Sequence, residues 1–317
     1  MTLKKTFDTP ILFLVFNRPE TTSIVFDEIK KIKPSRLFIA ADGPRDSKLN
    51  EIHKCQEVRE LFDTIDWPCE LKTLYRQENL GCKIAVSSAI TWFFEQVEYG
   101  IILEDDCLPD LTFFEFCSEL LLKYEKDNEV MMIGGNNFHK KPLEISSSYY
   151  FTNYPHIWGW ATWRRAWSNY NLDVSDYEKV LNENSFNNFF QSRSEKKHWF
   201  NVFDKVAKGK INTWDYQWVY SIWKIHGKSI TSSTNLIKNI GMDGDSTHLF
   251  IKDSYRDDLK LSKMNFPLVH PSEGINKIAD NDTYNNVVSK SISRRLRLLR
   301  ENGFLSLLIY LKKNIFK

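Results

Sequence analysis

Over its first 135 residues the chain alternates short apolar runs with stretches of helical spacing. Ile11 to Phe16 is unbroken apolar sequence closed by Asn17-Arg18-Pro19, the pattern of a strand buried on both faces of a parallel sheet. Thr21 to Lys31 then places Ile24, Val25 and Ile29 at helical intervals. Arg36 to Ala41 predicts a second strand, stopped by the turn signal Asp42-Gly43-Pro44. A helix is expected over 49–62, a third strand over Glu70 to Tyr75, and a helix over Ile84 to Phe94 with Ala85, Ala89, Trp92 and Phe93 on its apolar side. Tyr99 to Leu103 predicts a fourth strand that runs directly into Glu104-Asp105-Asp106. Leu111 to Tyr124 reads as a helix with Asp110 as its cap, and Val130 to Ile133 as another strand.

Strands alternating with helices predict an α/β fold with a mostly parallel central sheet flanked by helices. Ligands of such sheets bind at the carboxyl ends of the strands. Three polar clusters fall there: Asn17-Arg18, Asp42-Gly43 and Glu104-Asp105-Asp106. After Gly135 the alternation fades into an aromatic-rich stretch at 149–170 and a series of helical segments. Residues 271–289 are polar and read as a linker, and 290–317 as a basic amphipathic helical tail carrying Leu296, Leu298, Leu299, Phe304 and Leu305.

Composition narrows the picture. Aromatic residues make up 14% of the 317 residues, with ten tryptophans. Flat rings suit sugar and base faces as well as cores. The formal net charge is +2, which gives no bulk electrostatic case for nucleic acid. The five cysteines show no C-x-x-C spacing, which favours a reducing compartment over a disulfide framework. Met1 to Thr9 has no apolar leader pattern, and no stretch approaches the ~20 apolar residues that span a bilayer. A cytoplasmic location follows as an expectation. The basic tail reads either as an interfacial helix for anionic lipid, placing the protein peripherally at the inner membrane face, or as a helix packing its leucines on the rest of the chain.

The acidic triplet is the strongest local chemistry. Three acids at the end of an apolar strand are costly unless they are solvated or hold a cation, and hard oxygen ligands suit magnesium or manganese. The plainer reading is a solvated turn ahead of the next helix. Arg18 can pair with phosphate and Asp42 can accept from a ribose or base edge, although either motif alone is ordinary turn chemistry. Glu78-Asn79-Leu80-Gly81-Cys82-Lys83 precedes a helix, where backbone N–H groups and Lys83 favour an anion.

Together, Phe16–Glu20 (FNRPE), Ala41–Arg45 (ADGPR), Glu78–Lys83 (ENLGCK), Ile102–Asp110 (ILEDDCLPD), Trp158–Trp167 (WGWATWRRAW) and Trp214–Trp218 (WDYQW) resemble a family. They are similar to the bacterial GT-A fold glycosyltransferases related to the animal N-acetylglucosaminyltransferase I group, some of which carry the label hemolytic protein HlpA-like. The resemblance covers roughly residues 10–250. It implies a transferase domain over 1–270, with a donor-binding half at about 1–135 and an acceptor half at about 136–270, followed by the linker and tail at 271–317. It implies a nucleotide-sugar donor, usually a UDP-sugar, with Mn²⁺ (or Mg²⁺), and a saccharide or lipid-linked acceptor in surface polysaccharide synthesis. Asp106 becomes the metal ligand. Asp105 would hold the ribose and Glu104 orient the sugar. Phe16, Asn17, Arg18 and Asp42 would hold uridine and phosphates, with Asn79 and Lys83 nearby.

The same resemblance makes Asp215 the catalytic base of an inverting transfer. The animal enzymes have a Trp-Asp-Asp-Trp sequence here, whose second Asp is replaced by Tyr216. Asp215 also suits a helix N-cap. Trp158, Trp160 and Trp214 are expected around the acceptor or donor sugar, whereas the spacing of Trp163 and Trp167 favours core. Asn239 to His248 would form a loop over the diphosphate, with His248 on phosphate or metal. Two further function classes stay open. A non-catalytic nucleotide-sugar-binding or membrane-active protein would explain the altered WDYQW motif and the basic tail. A nucleotidylyltransferase is disfavoured, because it would want a glycine-rich phosphate loop where Asn17-Arg18-Pro19 stands.

Overall fold

A computed structural model describes residues 7–288 except 49, 140–142, 184–185, 187–188, 242–258 and 273. His248 and the basic tail 290–317 therefore lie outside the described residues. The first strand, β1 (Ile11–Val15), is buried at every position, as its unbroken apolar run requires. Helix α1 (Pro19–Ile32) begins with proline at its first position, where the missing N–H costs nothing. It buries Thr22, Val25, Phe26 and Ile29 on one stripe. β2 (Arg36–Ala41), α2 (Glu51–Glu60), a 3₁₀ turn (Leu61–Thr64), β3 (Glu70–Tyr75), α3 (Gly81–Phe94) and β4 (Tyr99–Glu104) continue the alternation.

Beyond β4 come the short β5 (Cys107–Pro109), α4 (Leu111–Lys123), β6 (Val130–Gly134), β7 (Tyr149–Thr152) and β8 (Trp160–Trp163). α5 (Arg164–Trp167), α6 (Tyr177–Leu181), α7 (Arg193–Ala207) and α8 (Asp215–Lys224) follow, then β9 (Lys228–Ser232), β10 (Ile237–Asn239) and α9 (Lys277–Thr283). Asp110 caps α4, its carboxylate accepting from the Thr112 N–H at 2.9 Å.

The eight-stranded sheet runs in the order β3-β2-β1-β4-β8-β6-β9-β7. The first four strands are mutually parallel. β8 is antiparallel to both β4 and β6, β9 is parallel to β6, and β7 is antiparallel to β9. The sheet is thus mixed, which corrects the expectation of a mostly parallel one. The antiparallel strands are β7 and β8, both after Gly135, where the regular strand–helix alternation that enforces parallel crossovers has lapsed. The carboxyl ends of β1, β2, β3, β4, β6 and β9 nevertheless share one edge.

Part of the stretch expected as a linker is helical. α9 docks on β7: Ile275 bridges Phe151, and the Asn276 N–H donates to the Phe151 carbonyl at 2.8 Å. Asp280 accepts from the Thr152 hydroxyl and from the Asn153 N–H, the latter at 3.2 Å. His139 Nδ1 meets Asp282 at 2.5 Å and its Nε2 meets the Tyr150 hydroxyl at 3.0 Å. Among the described residues no helix is long and apolar enough to cross a membrane.

Candidate functional site

The three polar strand ends converge. A cavity of about 250 Å³ opens over β1, β2 and β4, lined among others by Phe16, Asn17, Arg18, Asp42, Asn79, Glu104 and Asp105. Arg45, Arg76 and Cys82 also line it. Lys83 is absent from the lining, although Gly81, Cys82, Ala85, Val86 and Ala89 of the same helix α3 contribute to it.

At the β1–β4 end, Arg18 spans the gap between neighbouring strands. Its Nη2 pairs with Asp105, and its Nη1 donates to Asp106 Oδ2 at 3.0 Å. Burial works against the guanidinium's charge, yet the two carboxylates outweigh it and hold Arg18 more firmly protonated than an ordinary arginine. Asp105 is almost fully buried, and its Oδ2 has no hydrogen-bond partner among the described residues. Burial raises the pKa of Asp105 against the pull of Arg18. Burial raises Glu104 as well, with Asp106 and Asp105 adding to it. One arginine thus faces three acids crowded together, an arrangement with room for more positive charge.

Asp42 lines the cavity and is also held by the turn that starts α3. Its Oδ1 accepts from the N–H groups of Gly43 at 2.9 Å and Leu80 at 3.0 Å. Its Oδ2 accepts from Asn79 Nδ2 at 3.0 Å and the Gly81 N–H at 3.1 Å. A carboxylate offers about four lone-pair sites, so Asp42 is saturated by the turn that starts α3. It ties that turn to β2 and shapes the cavity. Gly43 is part of the same knot, since a Cβ there would stand 2.4 Å from the Glu78 backbone.

Two contributors were not singled out from sequence. Glu51, buried at the start of α2, accepts from the Arg45 backbone N–H at 2.7 Å, the Arg45 guanidinium and Asn17 Nδ2 at 2.8 Å. Burial raises its pKa, but Arg45 outweighs this and holds it below the usual range. Arg45 lies over the Phe16 ring, 5.4 Å from its centroid. Arg76 stands at the end of β3 and donates to the Ser88 hydroxyl at 2.7 Å. Glu51 is separated from Asn17 by 34 residues, and nothing local in the sequence marks the pairing. Arg76 follows β3 directly, but that strand mixes polar and apolar residues and buries none of them, so no apolar run marks its end as β1 marks Arg18.

Asp215 is the first residue of α8 and accepts from the Thr213 hydroxyl and from the Tyr216 N–H at 2.9 Å. Its charge raises the pKa of Glu104, and with burial and Glu104 it helps push the Cys82 thiol up to about 12. Asp215 is thus close enough for its charge to be felt at Glu104 and Cys82, but it does not line the cavity and bonds within its own turn. Trp160 and Trp214 do not line the cavity. Both are buried and stack on each other, 5.8 Å apart at 19°. Trp158 is half-buried against Phe138, at 4.7 Å. Trp163 and Trp167 are core residues. Gln217, in the first turn of α8, is completely buried, and neither end of its amide has a partner among the described residues.

Ile240 and Gly241 bring the backbone after β10 directly to the site. The Ile240 N–H donates to the Asp106 carbonyl at 2.8 Å. A Cβ on Gly241 would meet Arg18 Nη1 at 2.5 Å and Asp106 Oδ2 at 2.6 Å, so only glycine lets the backbone pass. Among the described residues no three His, Cys, Asp or Glu side chains converge as a ready-made metal cage. The donor chemistry still fits a hard cation that keeps waters and takes phosphate oxygens, which needs only one or two protein carboxylates. Asp106, with Asp105 and its unpartnered oxygen, supplies them.

No protein-family model matches the chain, and no curated protein does. Among solved structures, HddC from Yersinia pseudotuberculosis aligns at 9% identity and a TM-score of 0.27, over 40% of this chain and 58% of HddC. The chain thus spans little more than half of that protein's length. The 4-diphosphocytidyl-2C-methyl-D-erythritol synthase from Anaerococcus prevotii DSM 20548 aligns at 10% identity and a TM-score of 0.31, over 62% of this chain and 84% of the synthase. Likenesses this loose carry no weight for chemistry, and what the site does has to be read from its own geometry.

Proposed function

We propose that the protein is a metal-dependent glycosyltransferase that moves a sugar from a nucleotide-sugar, foremost a UDP-sugar, to a saccharide or lipid-linked acceptor. The observation that carries this is the single cavity shared by the ends of β1, β2 and β4, with Arg18 bridged to Asp105 and Asp106 at one end. Phe16, Asn17, Arg45 and Arg76 give the far end rings and donors for a base and ribose. Arg18 offers a forked donor to phosphate. Asp106, with Asp105, would hold Mn²⁺ or Mg²⁺, which would neutralise charge on the departing diphosphate.

A sugar hydroxyl is a poor nucleophile at neutral pH, and a carboxylate in reach can take its proton as the new bond forms. Asp215, whose charge is felt at Glu104, would take that role in a one-step, inverting displacement. Its bonds to Thr213 and Tyr216 orient the carboxylate and leave Oδ2 for the acceptor hydroxyl.

The test is a thermal-shift panel of UDP-, GDP- and CMP-sugars with and without Mn²⁺, followed by donor hydrolysis with the best match. A Mn²⁺-dependent rise in melting temperature is expected with one donor, lost in Asp106→Ala. Asp215→Asn should keep the shift and slow turnover by ~10²–10⁴-fold. A wild type that responds to no nucleotide-sugar sinks the proposal. Donor binding without any turnover would favour the non-catalytic reading suggested by Tyr216, and turnover indifferent to Asp215→Asn would remove Asp215 as the base.

A further inference from the structure

The geometry points to Arg18 as a gate on the metal site. We propose that its guanidinium is the built-in counter-ion of the Asp105–Asp106 pair, that it competes with a divalent cation for those carboxylates, and that a diphosphate admits the cation by drawing the guanidinium away. This rests on the transferase reading for the identity of the diphosphate, but the competition itself does not.

Arg18 is anchored where it can reach both acids and little else. Its carbonyl accepts from the Thr22 N–H at 3.0 Å, the Thr22 hydroxyl at 2.7 Å and the Thr21 hydroxyl at 3.3 Å. Pro19 follows it as the first residue of α1. With the backbone pinned, the side chain crosses from the end of β1 to the end of β4. Nη1 takes Asp106 Oδ2 at 3.0 Å while Nη2 takes Asp105 Oδ1. Asp106 Oδ1 accepts from the Cys107 thiol at 3.4 Å. The backbone at Gly241 closes over the Nη1–Oδ2 contact.

A magnesium-sized cation would bind a carboxylate oxygen at ~2.1 Å. Placing it on Asp106 Oδ2 sets two positive groups on one oxygen, and their repulsion drives the guanidinium to give way. Asp105 shows that the pair is not designed for the guanidinium alone. Its Oδ2 is buried without a partner among the described residues, although Arg18 is within bonding distance of the other oxygen. A group satisfied only by Arg18 would leave no buried acceptor over, whereas a site for a cation with several oxygen ligands would. A diphosphate offers the forked guanidinium a matched partner. Once Arg18 turns to it, Asp106 Oδ2 and both Asp105 oxygens become available. Nucleotide and cation then favour each other's binding, and the coupling is reciprocal.

The experiment follows Mn²⁺ binding to the full chain by the electron paramagnetic resonance signal of free Mn²⁺, without nucleotide and with UDP. Wild type should bind Mn²⁺ weakly alone and on the order of ten- to a hundredfold more tightly with UDP. Arg18→Met should bind Mn²⁺ alone at least about tenfold more tightly than wild type and gain little from UDP. Arg18→Lys, which keeps a charge but cannot span both acids, should fall between them and guards against misfolding of the first variant. If neither folded variant binds Mn²⁺ more tightly than wild type in the absence of nucleotide, Arg18 does not compete and the inference is overturned. A wild type indifferent to UDP, with tighter Mn²⁺ binding in the variants, would instead remove the nucleotide reading and leave the competition standing.

Discussion

The two halves of the sheet differ in where their unpartnered buried polar atoms lie. In the parallel half, β3-β2-β1-β4, polar groups at the strand ends mostly bind one another, with Asp105 Oδ2 and Arg59 Nε left over: Asp42 takes four donors, Glu51 holds Arg45 and Asn17, and Arg18 holds Asp105 and Asp106. In the mixed half, β8-β6-β9-β7 with α8 packed on it, polar atoms lie among aromatic walls. The Gln217 amide, Trp160 Nε1, Ser229 Oγ and Thr231 Oγ1 have no partner among the described residues. The first half is stabilised by the network that shapes its cavity. The second carries a cost of ~1–3 kcal/mol for each such group, offset by the packing of Trp160, Trp214, Trp218 and Trp167. Substitutions that remove polar groups should therefore act with opposite signs in the two halves.

The largest effect is expected in the parallel half. Asp42→Ala leaves the N–H groups of Gly43, Leu80 and Gly81 without their acceptor and unties the turn that begins α3. A loss on the order of 4 kcal/mol follows from several hydrogen bonds to one charged group, read by urea unfolding. A loss under about 1 kcal/mol would mean that the knot is not what holds this half together.

That knot also shows what the sequence could and could not say. Asp42-Gly43 stands at a strand end, and so does Glu104-Asp105-Asp106. Both were legible because an apolar run ending in a polar cluster is a local pattern. Which donors a carboxylate takes is not local. Asp42 reaches 37 to 39 residues along the chain, to Asn79, Leu80 and Gly81, and Arg18 reaches 87 and 88 residues to its acids. Hence the cavity could be anticipated, while Asp42's saturation and the buried Glu51 could not. The tryptophans err the other way. Trp160 and Trp214 sit beside glycine and aspartate, a sequence context that suits a pocket. Only the tertiary fold shows that their rings face each other in the core. The sheet was misjudged for a related reason, since short strands carry no mark of which direction their partners run.

A smaller effect should appear where α9 meets β7. Asp280 is buried, and burial, helped by Glu195, pushes its pKa up to about 7 against the bonds from Thr152 and Asn153. An acid whose folded pKa is raised contributes stability at low pH, where it is protonated in both states. That contribution is lost between about pH 4 and pH 7, as the unfolded chain releases its proton first. Asp280→Asn stays neutral throughout. The difference in unfolding free energy between wild type and variant should therefore shift against wild type by on the order of 2 kcal/mol between pH 4.5 and 7.5. A difference that does not change with pH would show that the Thr152 and Asn153 bonds already secure the charged form.

The finest test of the contrast is Gln217. Its amide sits at zero exposure in the first turn of α8, two residues after Asp215, with the buried Trp214–Trp160 stack one turn before it. Leucine matches much of its volume and asks for no hydrogen bonds. Replacing an unpartnered buried polar group with an apolar one of similar shape is neutral or stabilising. Gln217→Leu should thus raise stability by about 1 kcal/mol, where the same kind of exchange at Asp42 lowers it severalfold more. A thermal scan beside a urea titration reads both. If Gln217→Leu destabilises by as much as a core cavity does, ~2 kcal/mol or more, then the amide is satisfied by bound water. The mixed half would then be as fully paired as the parallel one, and the difference between them would lie only in whether the partner is protein or solvent.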